Sequence, residues 1–178
     1  ALGAAMRELE AEGEGLTGIR AARTLLLTGF RRMEALTLKW GMVDAPAHCA
    51  RLTDTKTGPQ TRPMGQAALD YLASFKPQDA KAKDYVFPGA GKAGHYVGAP
   101  KAWARMAKRA KITRVSIHGL RHWYASAAAE MNYSELVIGG MIGHKIASVT
   151  GRYATTPDSA LVAAADAVSA RLVSTLGD

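Results

Sequence analysis

Ile117-His118-Gly119-Leu120-Arg121-His122 begins a segment that continues through Gly143-His144 and ends at Thr150-Gly151-Arg152-Tyr153. An imidazole and a guanidinium lie three positions apart, a second imidazole follows, and a lone tyrosine comes nine residues after it. A tyrosine oxygen can attack a phosphodiester if a base or a strongly positive site activates the phenol, whose ordinary pKa is about 10. Arginine is suited to the charged transition state because its planar fork matches two phosphate oxygens. The segment therefore indicates phosphoryl transfer.

Length and composition are those of one globular domain. The chain has 178 residues, of which 48% are hydrophobic and 21% charged. We expect no membrane span, because no run of about 18 apolar residues occurs. Residues 1–12 lack the hydrophobic region of a secretory signal. Cys49 is the one cysteine and cannot build a disulfide framework, so we expect a reducing compartment.

The net charge of +8 comes from one part of the chain. Between Tyr85 and Ala129 there are eight basic residues and no Asp or Glu, whereas the rest of the chain balances 15 basic against 15 acidic residues. Such a local excess indicates a polyanion footprint more than an ordinary solvated helix face. The predicted DNA-binding residues are Lys101, Arg105, Lys108, Arg109, Lys111 and Arg114.

Periodicity and capping signals predict a mainly α-helical domain with a small antiparallel β-sheet, of the α+β class. The predicted strands are 42–44, 48–53 and 61–64, with a tight turn at 57–60. The predicted helices are 1–12, 17–27 capped by Thr17, 31–39, 66–75, 100–110, a central helix from Ser116 or His118 to 131, 135–141 capped by Ser134, and 156–176 capped by Thr156. We expect one domain over residues 1–178.

The motifs of the opening segment resemble those of the tyrosine recombinases, or phage-type integrases. That family's signatures are H-x-x-R, a G-H or G-W pair, and T-x-x-Y carrying the nucleophile. A further match lies upstream, where Thr28-Gly29-Phe30-Arg31-Arg32-Met33-Glu34 resembles the family's T-G-x-R-x-x-E, and its spacing selects Arg31 rather than Arg32. The resemblance extends from about Leu16 to Tyr153 and implies the fold of a tyrosine recombinase catalytic domain.

The resemblance implies a role for each reactive group. Arg31 and Arg121 would clamp the scissile phosphate. Tyr153 would attack that phosphate and become a 3′-phosphotyrosine. Lys56 lies just before the predicted hairpin turn, and it would protonate the leaving 5′-oxygen.

The histidines and one acid complete the site that the resemblance implies. His118 would help to take the phenolic proton, and His144 would bond a non-bridging oxygen; which of them does more acid–base work stays open. Glu34, on the same helical face as Arg31, would hold its guanidinium. His118 and His122 also have the spacing of a zinc pair, but no third ligand is near in sequence, so we expect neither metal nor cofactor.

The chain departs from the family pattern in three places. Ile142 replaces the commoner leucine before Gly-His, and Trp123 stands where the family more often has a small or hydroxylic residue. Family members also usually carry an N-terminal helical domain that closes over the far side of the DNA. We expect this chain to be the catalytic domain without that core-binding domain.

Two other functions fit part of the pattern. A DNA-binding regulator would need the basic segment but no reactive tyrosine, and a type IB topoisomerase would use the same chemistry to nick and reseal one duplex. The resemblance favours a recombinase of prokaryotic or phage origin that acts on double-stranded DNA sites in the cytoplasm, near the nucleoid. It implies a monomer when no DNA is bound and a homotetramer in the synaptic complex. We expect the last helix to dock on its own domain in the monomer and on a neighbour in the tetramer.

Overall fold

The computed structural model of the chain describes residues 1–13, 15–53, 55, 58–144 and 158–177. Over these residues the predicted class is confirmed, with eight α-helices and one three-stranded sheet. The helices are α1 (Leu2–Ala11), α2 (Leu16–Thr28), α3 (Arg32–Leu36), α4 (Gln66–Ser74), α5 (Ala99–Arg109), α6 (Gly119–Glu130), α7 (Glu135–Ile142) and α8 (Ser159–Leu176). The strands are β1 (Val43–Asp44), β2 (Cys49–Leu52) and β3 (Gln60–Pro63), and a 3-10 turn over Trp40–Met42 precedes β1.

The sheet is an antiparallel meander in the order β1-β2-β3. Each strand lies within one residue of its predicted bounds, and Gln60, which was assigned to the turn, begins β3. Side chains alternate between the two faces of a strand, so Arg51 of β2 faces solvent and binds Asp44 of β1 at 2.7 Å. Ala50 pairs with Arg62 of β3, and both side chains are buried. The sheet therefore directs one arginine, Arg62, into the domain.

Helix α3 ends earlier than predicted because the chain after it pairs with a distant segment. The N–H of Val86 donates to the carbonyl of Leu38 at 2.9 Å, and the N–H of Trp40 donates to the carbonyl of Asp84 at 3.0 Å. These bonds hold the backbone after α3 in an extended form. Tertiary pairing thus outweighs the helix propensity of residues 37–39.

The predicted helix caps are correct in part. Ser134 caps α7 as predicted, because its hydroxyl accepts a backbone N–H of the first turn at 3.3 Å. The prediction for Thr17 is wrong, since α2 begins directly after Gly15, whose φ of 65° is left-handed. Asp158 caps α8 by accepting a backbone N–H at 2.9 Å, and the predicted cap, Thr156, lies outside the described residues.

Helix α2 is the centre of the domain. It is buried over most of its length and packs against α4, α5, α6 and α8. It ends at Gly29, where a Cβ atom would lie only 2.6 Å from the ring of Tyr124 on α6. The turn after α2 therefore meets the first half of α6, and this contact brings the two arginine motifs together.

Helix α8 docks on its own domain, which is the arrangement predicted for the monomer. Its buried stripe, formed by Ala165, Val168, Leu172 and Leu176, joins the core that α2, α4 and α6 share. By length and composition α8 is also apolar enough to cross a membrane, with a mean hydropathy of 1.3 over 18 residues, although Asp166 and Arg171 interrupt its apolar sequence. In this structure 33% of that helix is buried inside the domain.

Candidate active site

Arg31 lies in the turn that links α2 to α3. Gly29 ends α2 with a φ of 62°, a left-handed conformation that costs glycine little. The hydroxyl of Thr28 accepts the N–H of Phe30 at 3.3 Å inside the turn. Arg31 then takes an extended conformation as the residue that precedes α3. The T-G-x-R pattern is therefore a turn that aims one arginine.

Glu34 holds Arg31 at two points, as predicted from their spacing. Its Oε2 accepts the backbone N–H of Arg31 at 2.8 Å, and its Oε1 accepts Nη1 of the Arg31 guanidinium at 2.7 Å. Burial acts to raise the pKa of the Glu34 carboxyl. The Arg62 guanidinium, the Arg31 N–H and the Arg31 guanidinium outweigh that effect and leave the pKa below its ordinary value. Glu34 is therefore a carboxylate at neutral pH.

Arg62 is a third arginine of this site and was not predicted from the sequence. Its side chain is only 1% exposed, and its Nη2 donates to Oε2 of Glu34 at 2.7 Å. Its Nη1 donates to the carbonyl of Met141 at 3.3 Å. Burial lowers the pKa of the Arg62 guanidinium, and Glu34 opposes that change. The one signal in the sequence was its place two residues before Met64, on the buried face of the strand.

Arg121 enters the site from the first turn of α6. Its Nη1 donates to the carbonyl of Gly29 at 2.6 Å, and the side chain is buried. Among the residues that the structure describes, its Nη2 has no hydrogen-bond partner. Burial is the main cause that lowers the pKa of Arg121 to about 10, and the charges of Arg62 and Arg31 act in the same direction. The Arg121 guanidinium therefore stays charged at neutral pH. A buried cationic donor with unused capacity is suited to bind an anion.

His144 follows the left-handed end of α7. Gly143 has a φ of 67°, and its carbonyl accepts Nη2 of Arg31 at 3.4 Å. His144 is exposed, directly beyond this contact. Partial burial, and then the charges of Arg121, Arg31 and Arg62, lower the pKa of His144. Its neutral form therefore dominates at neutral pH, and a neutral imidazole still has one N–H to donate to a phosphate oxygen.

His118 is the residue that precedes α6, one helical turn from Arg121, and it is exposed. The ring of His122 packs edge-on against it, with the two centroids 5.3 Å apart. No third His, Cys, Asp or Glu joins this pair within the described ranges. The two imidazoles therefore contact each other at the surface of α6.

Four of the six predicted catalytic residues lie in the described part of the chain. Arg31 and Arg121 meet at the turn after α2, and His144 lies next to the carbonyl that Arg31 contacts. His118 is on the same helical segment as Arg121. The other two, Lys56 and Tyr153, lie outside the described residues.

The predicted DNA-binding residues lie on α5 and in the segment after it. All six are exposed, whereas Trp103 and Met106 are buried on the opposite face of α5 as predicted. Arg109 forms ion pairs with Glu8 of α1 at 3.2 Å and with Glu12, the residue that follows α1, at 2.9 Å. The charge of Arg109 is therefore partly compensated within the domain.

Comparison with known proteins gives both family and fold. The model of the phage integrase family matches residues 6–159. The prophage integrase IntF of Escherichia coli (strain K12) is 27% identical over 134 residues, which are 74% of this chain and 29% of that protein. This chain therefore spans less than a third of the curated relative that it matches.

Solved structures of integrases and recombinases share the fold at low sequence identity. The integrase from mycobacterium phage Brujita has a TM-score of 0.67 at 20% identity, over 84% of this chain and 51% of that one. The Tn1549 transposon integrase, in complex with circular intermediate DNA, has a TM-score of 0.59 at 15% identity, over 90% and 61%. XerA recombinase has a TM-score of 0.55 at 20% identity, over 89% and 62%.

The family match covers the elements that build the site. It includes the turn that carries Arg31, the strand that carries Arg62, the start of α6 with His118 and Arg121, and the end of α7 with His144. Because the family model matches residues 6–159 of the 178, the chain belongs to the phage integrase family of tyrosine recombinases.

Proposed function

We propose that this chain is the catalytic domain of a site-specific DNA recombinase that cuts and rejoins double-stranded DNA through a 3′-phosphotyrosine. The observation that carries the proposal is the cluster of Arg31, Arg62 and Arg121. In the described part of the chain, two of these arginines are paired with the single carboxylate of Glu34, and a donor of Arg121 has no partner. Three buried or half-buried cations against one anion favour a bound anion, and a scissile phosphate supplies it.

Cleavage in this proposal is a transesterification that needs no cofactor. The Tyr153 oxygen forms a bond to phosphorus, and the bond from phosphorus to the 5′-oxygen breaks. His118 helps to take the phenolic proton, and Lys56 donates a proton to the leaving 5′-oxygen. The 5′-hydroxyl of a partner strand then attacks the phosphotyrosine and regenerates the phenol.

The described residues supply charge stabilisation to that step. Arg31 and Arg121 have their backbone-facing nitrogens fixed by the carbonyls of Gly143 and Gly29, which leaves other donors for the non-bridging oxygens. A neutral His144 adds one hydrogen bond without a proton transfer. Because these groups are set before DNA binds, little reorganisation opposes the developing charge.

The proposed setting follows from the family. The substrates are two duplex DNA sites, and a homotetramer exchanges strands between them. Without DNA the protein is a monomer. The relatives include integrases of a prophage and of a mycobacteriophage, which supports a prokaryotic or phage origin and a cytoplasmic place of action near the nucleoid.

A nicked suicide duplex tests the proposal. A binding site is first selected from a random-sequence duplex pool with the full natural protein, and a nick is then placed so that the cleaved end diffuses away. We expect a covalent protein–DNA adduct at the 3′-phosphate in the presence of EDTA. Tyr153→Phe should bind the same duplex and form no adduct. Adduct formation that EDTA abolishes and magnesium or zinc restores would refute the mechanism.

The same protein and the same selected duplex distinguish the competing functions. Binding by the wild-type protein without any adduct would identify a DNA-binding regulator. Adduct formation with relaxation of a supercoiled plasmid, but without exchange between two selected sites, would identify a type IB topoisomerase. Exchange between two sites is the result expected for a recombinase.

A further inference from the structure

Arg62 occupies a place in the core where a buried charge is costly. Its side chain is 1% exposed, and its guanidinium carbon lies 5.8 Å from the ring centroid of Phe30, the residue before Arg31. A buried guanidinium loses its hydration and is retained only when protein groups replace the lost water contacts. An apolar side chain of similar volume would fill the same space without that loss. The contacts of Arg62 therefore indicate what the charge is used for.

Both hydrogen-bond partners of Arg62 lie one contact away from a proposed catalytic group. The Oε2 atom of Glu34 that accepts its Nη2 also accepts the backbone N–H of Arg31. The carbonyl of Met141, which accepts its Nη1, lies two residues before Gly143, whose own carbonyl accepts from Arg31. One guanidinium therefore bridges the start of α3 and the end of α7.

The end of α7 also rests directly on Arg62. A Cβ atom at Gly143 would lie 2.1 Å from the guanidinium carbon of Arg62, so a side chain there would displace the guanidinium. The φ of 67° at Gly143 disfavours a side chain for an independent reason. The position of His144, the next residue, is thus defined by a left-handed glycine that packs on the face of Arg62.

We propose that Arg62 is a positioning residue for strand cleavage, which holds the His144-bearing end of α7 in register with Arg31. The inference rests on the proposed function. Arg62 does not contact DNA itself, because its side chain is almost fully enclosed. It acts through Glu34 on one side and through the backbone of Met141 and Gly143 on the other. Its charge also adds to the positive potential around Arg121 and His144.

The test compares cleavage with binding in Arg62→Met and Arg62→Lys. Single-turnover cleavage of the nicked suicide duplex should fall by on the order of 10²-fold in Arg62→Met, because small misplacements of reacting groups have effects of that size. The affinity for the same duplex should change little. Arg62→Lys keeps the charge but cannot bridge both partners equally well, so it should cleave at an intermediate rate.

A modified duplex separates positioning from a general loss of structure. A methylphosphonate at the scissile position removes the charge that Arg31 and Arg121 neutralise. If Arg62 acts by placing Arg31, the defect of Arg62→Met should shrink to less than about 10-fold on this duplex. The double variant Glu34→Gln/Arg62→Met should cleave no more slowly than the slower single variant, since the two residues act in one chain of contacts.

Arg51→Met is the matched control, because Arg51 binds a carboxylate from the neighbouring strand but its side chain is 45% exposed. It should cleave both duplexes at the wild-type rate. Wild-type cleavage by Arg62→Met would overturn the inference while the proposed function stands. So would equal defects on both duplexes, or the failure of both Arg62 variants to fold. Absence of a wild-type adduct would overturn the proposed function and the inference together.

Discussion

Arg31 and Arg32 are adjacent in sequence but differ in their contacts. Arg31 contacts Glu34 and the carbonyl of Gly143, whereas Arg32 is exposed on the first turn of α3. We expect Arg31→Ala to slow suicide cleavage by on the order of 10²-fold or more with little change in DNA affinity, because it serves the charge of the transition state. Arg32→Ala is the control and should leave cleavage near the wild-type rate. Equal cleavage defects in the two variants would contradict the assignment of Arg31.

Glu34 gives the domain a specific dependence of stability on pH. Its carboxyl has a folded-state pKa below the ordinary value of about 4.3, so the folded state resists protonation and gains stability above that pH. We expect Glu34→Gln to lower the free energy of unfolding by about 3 kcal/mol at pH 7, because it leaves Arg62 buried without its counterion.

The difference between wild type and Glu34→Gln should shrink as the pH falls below about 4, because the wild-type carboxylate then becomes protonated and loses its advantage. Urea unfolding of both proteins at several pH values measures it. Asp44→Asn is a suitable control, since the pKa of Asp44 is also lowered but its partner Arg51 is 45% exposed. A difference that is the same at pH 7 and pH 3.5 would show that the charge of Glu34 is not what matters.

Single residues were predictable where one short motif contains both partners. Arg31 and Glu34 are three positions apart, and the turn that aims them needs only Thr28 and Gly29, so spacing was sufficient. Arg62 was not predictable in the same way. Its partners come from α3 and from the end of α7, 28 and 79 residues away, and only the folded chain brings them to one guanidinium.

Helix α2 is terminated by a glycine that both forms the turn and holds a proposed catalytic arginine. Gly29 has a left-handed φ, its carbonyl accepts from Arg121, and a Cβ there would lie 2.6 Å from the ring of Tyr124. We expect Gly29→Ala to cost about 2 kcal/mol or more of stability, because it combines an unfavourable φ with overpacking. It should also slow cleavage more than DNA binding, because the carbonyl that holds Arg121 moves. Thermal melts and suicide cleavage measure the two effects.

Gly91→Ala is the control for that experiment, since a Cβ atom at Gly91 would meet nothing within 4 Å. It should melt and cleave like the wild type. A Gly29→Ala protein that is as stable and as active as Gly91→Ala would show that neither the turn nor its carbonyl is constrained as the contacts suggest.

Elements were predictable where local signals agree and failed where distant pairing decides. The strands follow from alternation and turn residues and were placed within one residue. Helix α3 was predicted too long because its last residues favour a helix in isolation but are paired with the segment around Val86 in the fold. The start of α2 was misplaced because a left-handed glycine, Gly15, ends the preceding turn and makes a side-chain cap at Thr17 unnecessary.

The distribution of basic residues over the domain predicts which of them contribute to the salt dependence of DNA binding. Lys108 and Arg109 are adjacent and exposed on α5, but Arg109 is paired with Glu8 of α1 and with Glu12, which follows α1. If α5 faces DNA, Lys108→Ala should weaken binding to all sequences and reduce the slope of log affinity against log salt by about one unit. Arg109→Ala should change that slope less, because its charge is already compensated. Titrations at several salt concentrations decide this, and a larger change of slope for Arg109→Ala than for Lys108→Ala would contradict the prediction.

The docking of α8 bears on assembly. Leu172 and Val168 lie in the main core, so a truncation before α8 would expose that core and would confuse unfolding with loss of assembly. A test of exchange between protomers therefore has to keep α8 intact. Ser174 near the end of α8 and Ser74 at the end of α4 are both exposed, and α8 packs against α4. Fluorophores at these two positions report whether α8 stays on its own domain.

We expect Ser74→Cys/Ser174→Cys protein to label at the two introduced thiols, since Cys49 is buried and burial raises the pKa of its thiol. Energy transfer within one protomer should be high without DNA and on a single site, because α8 covers its own core. Labelled protein diluted into an excess of unlabelled protein should lose that transfer when two sites are brought into synapsis, if α8 moves to a neighbour as a ring of heterologous contacts requires. Loss without DNA would mean that exchange precedes assembly. Unchanged transfer during active recombination would show that α8 remains on its own domain throughout, and that the tetramer is held by other surfaces.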